Sequence, residues 1–384
     1  VLFKFKALSP VYGSMAFDGQ GNAYFGDKNG RIYSLDCAGR QRWIWASKSS
    51  YFNRPFVIGS EGTVYAAGEY LFAFDGRGTE KWTVTSEGAM NSSPAVTGGG
   101  VLYAGYVTND GEPKDVTGGL LAFKPDGSRV DGFPLAVGGV FSSPAISSGI
   151  LYLPSVDYAV TYKASSLWAV DASAGVSWRV DLDALGSSVA LGSGGTVYVA
   201  ENTKAMDVFA VLDAFDPSNG YRRWTFPLSG TLSKGVVGSP VVGSAASGED
   251  VIVLTRDGHL ISVNSLAGKA TLVFNAELTK SEQSGAGSPL LGDDGFIYAA
   301  VAESLTQTRL FKVSPDGKSK TEIATMDGVK VSTALAIRGD GVIYFGSESG
   351  DVVAVKVDAA GLNKGAPWPS FRHDLRNTGN LDSK

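Results

Sequence analysis

Cys37 is the sole cysteine in 384 residues, which excludes an internal disulfide and every paired-cysteine zinc or redox motif. Two histidines, His259 and His373, are too few for a histidine-built metal site. No run of 18 apolar residues occurs, so no segment reads as a transmembrane helix. Lys/Arg clusters are absent and the formal net charge is −5. That balance excludes a nucleic-acid partner, which needs a basic face to displace counterions. A lone cysteine fits either redox compartment. The sequence begins at Val1 rather than methionine, so any export signal is expected to have been removed or left out.

What the chain has in quantity is glycine, 50 residues of it, beside a low charged fraction of 18%. This suits many tight turns between short strands. The segment from Ser92 to Gly105 (SSPAVTGGGVLYAG) shows the plan. A small-residue run with Pro94 enters a short strand, Gly98 to Gly100 turn it, and Val101 to Gly105 return as a β-rich run too short for a helix. A third strand, Leu120 to Lys124, stops at Pro125, Asp126 and Gly127, which fix one turn dihedral and permit positive φ. A fourth follows near Phe133.

Eight copies of this unit can be laid along the chain. The second-strand anchors are Tyr24, Tyr65, Tyr103, Tyr152, Tyr198, Val253, Tyr298 and Tyr344, about 40 to 55 residues apart, the period of propeller blades. The copies lead in through Ser14, Arg54, Ser93, Ser143, Ser188, Ser239, Ser288 and Ser332, so only the second lacks a serine. The length prior of two or three domains gives way to one, because repeat proteins spend length on copies of a unit. The expected architecture is an all-β, eight-bladed propeller of four-stranded antiparallel sheets. Residues 1–10 supply a closing strand, 11–360 the eight repeats and 361–384 a C-terminal extension.

The closing strand follows from two gaps. Phe3, Lys4 and Phe5 alternate before the first complete copy, while the last copy, Ser332 to Val357, has no fourth strand. The N-terminal segment is predicted to complete the last blade and leave no long edge exposed; the alternative is a disordered tail.

Four copies share a pattern at the third turn: Asp36, Gly39 and Trp43; Asp75, Gly78 and Trp82; then, with one more residue, Asp171, Gly175 and Trp178, and Asp216, Gly220 and Trp224. The aspartate suits an Asx-turn, the glycine a positive φ, and the tryptophan a position covering the gap between sheets. The run from Ala73 to Trp82 (AFDGRGTEKW) is similar to the tryptophan-docking motif of pyrroloquinoline-quinone (PQQ)-type repeat propellers. The resemblance covers nearly the whole chain and is specific for fold more than for activity.

Within that family, dehydrogenases imply a central site with quinone, a calcium bound by acidic and amide side chains, an aspartate base, and often an adjacent-cysteine disulfide. One cysteine rules out the disulfide, and no Glu/Asn/Asp group marks the lead-ins. Non-catalytic members, outer-membrane assembly lipoproteins of similar length, imply a scaffold that binds a protein partner through loops on one face. The sequence reading is therefore a non-catalytic scaffold in the periplasm or at the cell surface, monomeric, with no catalytic residues, metal or cofactor. PQQ with calcium enters only under the dehydrogenase alternative. A small-ligand or glycan-binding propeller, or a lyase of propeller type, is a third reading.

Candidate binding residues are the non-small ones ahead of the first strands, at the mouth of the central channel: Tyr12, Tyr51, Asn53, Arg54, Asn91, Phe141, Lys234 and Lys330. Such side chains can stack and hydrogen-bond; they can equally be turn residues. Insertions between second and third strands, at Tyr106 to Gly118, Ser155 to Ser165, Glu201 to Ala210 and Ala302 to Thr308, are expected on one face, suited to display or free to drift. Lys280 to Ser284 could form one helical turn. Asp293 to Gly295 and Asn109 to Gly111 resemble calcium loops superficially but lack the alternating carboxylates and terminal glutamate, and read as turns. After the repeats, Trp368, Phe371, Arg372, His373 and Asp374 match the Trp-Pro-x-Phe-Arg-His-Asp segment found beside such propellers. Either the last three form a polar site, or Trp368 and Phe371 pin the terminus to the ring.

Overall fold

A computed structural model describes the chain except for residues 48–50, 109–116, 158–163, 184–185, 203–209, 229–234, 237, 267–268, 277–286 and 384. The described strands form eight four-stranded antiparallel sheets. Seven are consecutive in sequence. The eighth joins Ala336–Arg338, Val342–Gly346 and Asp351–Lys356 to Phe3–Lys6. Phe3 pairs with Ala354 and Phe5 with Val352, so the closing strand is present in the predicted place.

Each blade starts with a two- to four-residue innermost strand, such as Ala16–Phe17, Ala95–Val96 or Val241–Ser244. The second and third strands are buried on both faces, as in Val64–Ala67 and Tyr70–Phe74, because neighbouring blades cover them. The outer strands alternate exposed and half-buried residues, as in Glu80–Thr85. The core therefore lies between blades: Tyr65 and Ala73 of the second pack with Leu102 and Leu121 of the third.

The third turns behave as the aspartates suggested. Asp75 Oδ1 accepts from Arg77 and Thr79 N–H at 2.9 Å each, holding its carboxyl below the usual range. Gly78 has φ +87°, and a β-carbon there would lie 2.7 Å from the Trp43 ring of the preceding blade. Trp43 Nε1 donates to Gly76 O at 3.2 Å, Trp82 to Pro125 O at 2.9 Å, Trp178 to Pro217 O at 2.8 Å and Trp224 to Ser265 O at 3.1 Å. Each tryptophan thus lies on the next blade's turn. A register shift one step beyond each pairing residue, as between Ala73 and Phe74, accompanies it.

Phe3 fills this position in the last blade. Its ring lies 5.8 Å from Tyr344, as Trp82 lies from Tyr65, and it covers Gly39 of the first blade. The closing strand therefore supplies the docking side chain as well as the ladder.

Several expectations shift. In copy six the residue paired like the tyrosine anchors is Ile252, opposite Val241, rather than Val253, because the ladder runs from that pair to Ser244 opposite Glu249. Pro55 and Ala334, two residues ahead of their innermost strands, stand where the other copies have serine, so two copies lack it. Ala174, at φ +67°, rather than Gly175 takes the left-handed conformation in copy four. The fourth strand of copy three is only Leu135–Ala136, and Phe133 packs against Tyr103 at 5.7 Å. The seventh-copy insertion is an extended hairpin: Ile297–Ser304 and Gln307–Val313 pair to the Ser304–Gln307 step. Residues 280–284 and 109–111 lie outside the described residues. Asp293 to Gly295 form a turn in which Asp294 accepts from Tyr298 OH at 2.7 Å.

Candidate functional site

Strand direction alternates within a blade, so the links from second to third strand and from blade to blade share one face, here the connection face. The first and third turns share the other, the turn face. Between them runs the axial channel, lined by the eight innermost strands.

The C-terminal extension crosses this channel. The second residues of the innermost strands donate to it: Phe17 N–H to Leu375 O, Ile58 to Arg376 O, Val96 to Thr378 O, Ile146 to Gly379 O, Val242 to Trp368 O and Leu291 to Pro369 O, all at 2.8 to 3.0 Å. Six of eight blades are thereby bonded to one segment. Trp368 is fully buried among residues of the fourth to sixth blades, including Leu191 and Val242. Arg372, also fully buried, donates to Pro144 O and Pro94 O at 2.6 and 2.8 Å. Burial pushes its guanidinium down to about 9, with Asp374 opposing. Asn377 Nδ2 donates to Met15 O and Phe56 O at 3.1 Å each.

Asp374 organises the turn that follows. Its Oδ1 accepts from Arg376 and Thr378 N–H at 3.0 Å each, and its Oδ2 from the hydroxyls of Thr378 and Ser383 at 2.6 Å each. Burial raises its pKa, but His373 and these hydroxyls outweigh that and hold it at about 2, against 3.8. His373 Nδ1 lies 3.1 Å from Ser383 Oγ, and its ring 5.1 Å from Trp368. His373, Asn377 and Gly379 all have positive φ. A β-carbon on Gly379 would collide with the Arg372 guanidinium. The arginine, histidine and aspartate thus hold the plug's own geometry, and Phe371 is half-buried beside it.

A folded pKa depressed to about 2 contributes stability above the unfolded value near 4, lost as pH falls from about 4 to 2. The expected contribution is roughly 2 kcal/mol. Urea unfolding of Asp374→Asn should therefore lie below wild type at pH 7 and converge with it near pH 2. A constant gap would show that the carboxylate charge is irrelevant.

On the turn face the plug leaves a funnel of about 1530 Å³, lined by Asp18, Ser147, Tyr152, Ser193 and Asp293 from the blades and His373 from the plug. The sequence reading missed it, since first-turn residues looked purely structural. Beside it stand buried tyrosines: burial and Asp18, which accepts from Tyr24 OH at 2.8 Å, push Tyr24 up to about 12.

On the connection face, the ladder register brings Tyr12, Asn53, Asn91 and Phe141 to one level, four residues ahead of their innermost strands, with Arg54 one step deeper. Tyr51 and Lys330 stand six ahead. Asn91 is buried, Tyr51 is exposed, and Tyr12, Asn53, Arg54 and Phe141 are half-buried. Lys330 is tied to Glu348 at 2.9 Å. Lys234 lies outside the described residues.

A family profile described as "Outer membrane protein assembly factor BamB" matches residues 4–136 and 163–370. The chain belongs to this BamB family of PQQ-like repeat propellers. Among solved structures, BamB from Moraxella catarrhalis superposes with a TM-score of 0.64 at 16% identity, covering 93% of this chain and 97% of that one. Sqt1 from Saccharomyces cerevisiae gives 0.63 at 8%, covering 92% and 98%. Quinohemoprotein alcohol dehydrogenase from Comamonas testosteroni gives 0.65 at 13%, covering 92% of this chain and 76% of that one. No curated protein sequence matches. At such identities the neighbours establish the fold, and membership of the BamB family sets the frame for function.

Proposed function

We propose that this BamB-family propeller is a non-catalytic, extracytoplasmic scaffold, one domain throughout, that binds a protein partner through its connection face. The observation that carries this reading is the plugged channel. The resemblance to quinoproteins would put quinone and calcium at the centre, and there the chain has placed Trp368 and Arg372 with six blades bonded around them. Among the described residues no group of three or more His, Cys, Asp or Glu could hold a metal ion. No described helix is long and apolar enough to cross a membrane. Further support comes from the hairpins of the third, fourth, fifth and seventh blades, lengthened toward the connection face. A rigid ring carrying such arms orders few new degrees of freedom on binding.

Replacing 109–116 by a two-residue turn is expected to leave the melting temperature within about 2 °C and to weaken capture of its protein partner at least tenfold. Titration with PQQ and calcium is expected to leave the quinone spectrum unchanged. A quinone-dependent dehydrogenase activity would overturn the reading. The turn-face funnel favours a second one, a small polar ligand held against its serines and carboxylates.

A further inference from the structure

The level three residues ahead of the innermost strands forms a ring at the connection-face mouth: Gly13, Arg54, Ser92, Ser142, Ser187, Gly238, Gly287 and Thr333. Seven are small and one is a guanidinium. The hydroxyls here have work to do. Ser92 Oγ accepts from Gly105 N–H at 2.8 Å, Ser187 Oγ from Ala200 N–H at 3.1 Å and Thr333 Oγ1 from Gly346 N–H at 2.9 Å, each bracing its own second strand. Ser142 Oγ donates to Gly186 O of the next blade at 2.8 Å. Arginine carries only donors, so at Arg54 the accepting role is forfeited.

Nor does the guanidinium gain a partner in exchange among the described residues. Its Nε is buried with no hydrogen bond, and no carboxylate among the described residues pairs with it. Burial pulls its pKa down, with only Tyr51 opposing. The residue is nevertheless only half-buried, which leaves the end of the side chain at the mouth. Lys330, the other described cation in the predicted set, is already paired with Glu348 at 2.9 Å. A desolvated, uncompensated charge costs stability wherever it serves no ligand.

We propose that Arg54 is a carboxylate-binding anchor at the connection-face mouth, accepting one acidic side chain or chain end of the partner polypeptide. A single planar fork suits a two-oxygen monoanion, whereas a phosphate dianion calls for more than one cation. Tyr12, Asn53 and Phe141 supply an uncharged rim at the adjacent level, where aromatic faces and an amide can hold the chain that carries the carboxylate. The partner's class rests on the protein-scaffold reading; the carboxylate site itself rests on the geometry of Arg54.

Two probes separate these. In thermal melts at equal ionic strength, 100 mM sodium acetate in place of chloride is expected to raise the wild-type midpoint by about 1 to 3 °C and to leave Arg54→Met unmoved. Arg54→Met in chloride should melt above wild type by a similar margin, since it removes the unpaired charge, and Arg54→Lys should respond weakly. Fluorescein-labelled hexaglutamate is expected to bind wild type at least tenfold more tightly than Arg54→Met, and hexaglutamine to bind neither. Acetate stabilisation without hexaglutamate binding would keep the carboxylate site and overturn the polypeptide partner. Equal responses of wild type and Arg54→Met to both probes would overturn the site, and the rise in the variant's own melting point excludes misfolding as the cause.

Discussion

Trp368→Ala is expected to lower the unfolding free energy by about 3 to 5 kcal/mol, among the largest effects of any single change in this chain. The side chain is fully buried and packs with residues from three blades. Its backbone is also stitched to Val242 in both directions, at 2.8 and 3.1 Å. Removing the indole leaves a cavity at the axis, where rigid strands surround it and collapse is limited. Equilibrium urea unfolding gives the number. Phe371→Ala, at a half-buried neighbour, should cost about a third as much. Equal small losses would mean that the plug merely rests in the channel, and the argument against a central quinone would lose its main support.

The second large effect concerns ring closure. Deleting residues 1–6 removes four ladder pairs and two partly buried phenylalanines, worth at most about 3 to 6 kcal/mol, since full burial of one such side chain is worth roughly 1.5 to 3 kcal/mol. Phe5 packs against Tyr33 at 5.7 Å and Phe25 at 6.1 Å, and Phe3 covers the Gly39 turn, so both blade-one contacts go with the strand. The bared edge at Asp351–Lys356 is a template for another chain. The truncated protein should therefore associate at micromolar concentration in sedimentation velocity. A synthetic peptide spanning residues 1–8 should restore the monomer and the melting temperature. A truncated protein that stays monomeric and equally stable would show that the ring does not depend on this clasp.

The two predictions probe opposite ends of the chain because both ends close the same ring, one at the rim and one at the axis. This bears on the scaffold reading. A propeller clasped at both places holds its hairpins and mouth residues at fixed spacing, as the proposed scaffold role requires.

Blade number, strand order and the closing strand were legible in the sequence because the repeat is written in local chemistry. Asp75 must accept turn N–H groups and Gly78 must take a positive φ whatever surrounds them. Alignment was less secure wherever that chemistry thins. Val253 and Ile252 are equally apolar and β-branched, and only the ladder from Val241 chose between them. The lead-ins of the second and eighth copies slipped for the same reason, since proline and alanine carry no mark of the position they fill.

The sequence by itself determined the local units: short strands, tight turns, a tryptophan per motif and an unpaired apolar segment at the start. Tertiary structure alone decided what those units meet. That Phe3 takes a tryptophan's place, that Arg372 reaches two blades' carbonyls from the axis, and that Arg54 meets no counter-charge among the described residues are facts about residues far apart in sequence and adjacent in space. Local pattern records what the backbone needs from its neighbours a few residues away. Burial and charge balance are set by the whole ring, and they emerge only when the eight sheets are in place.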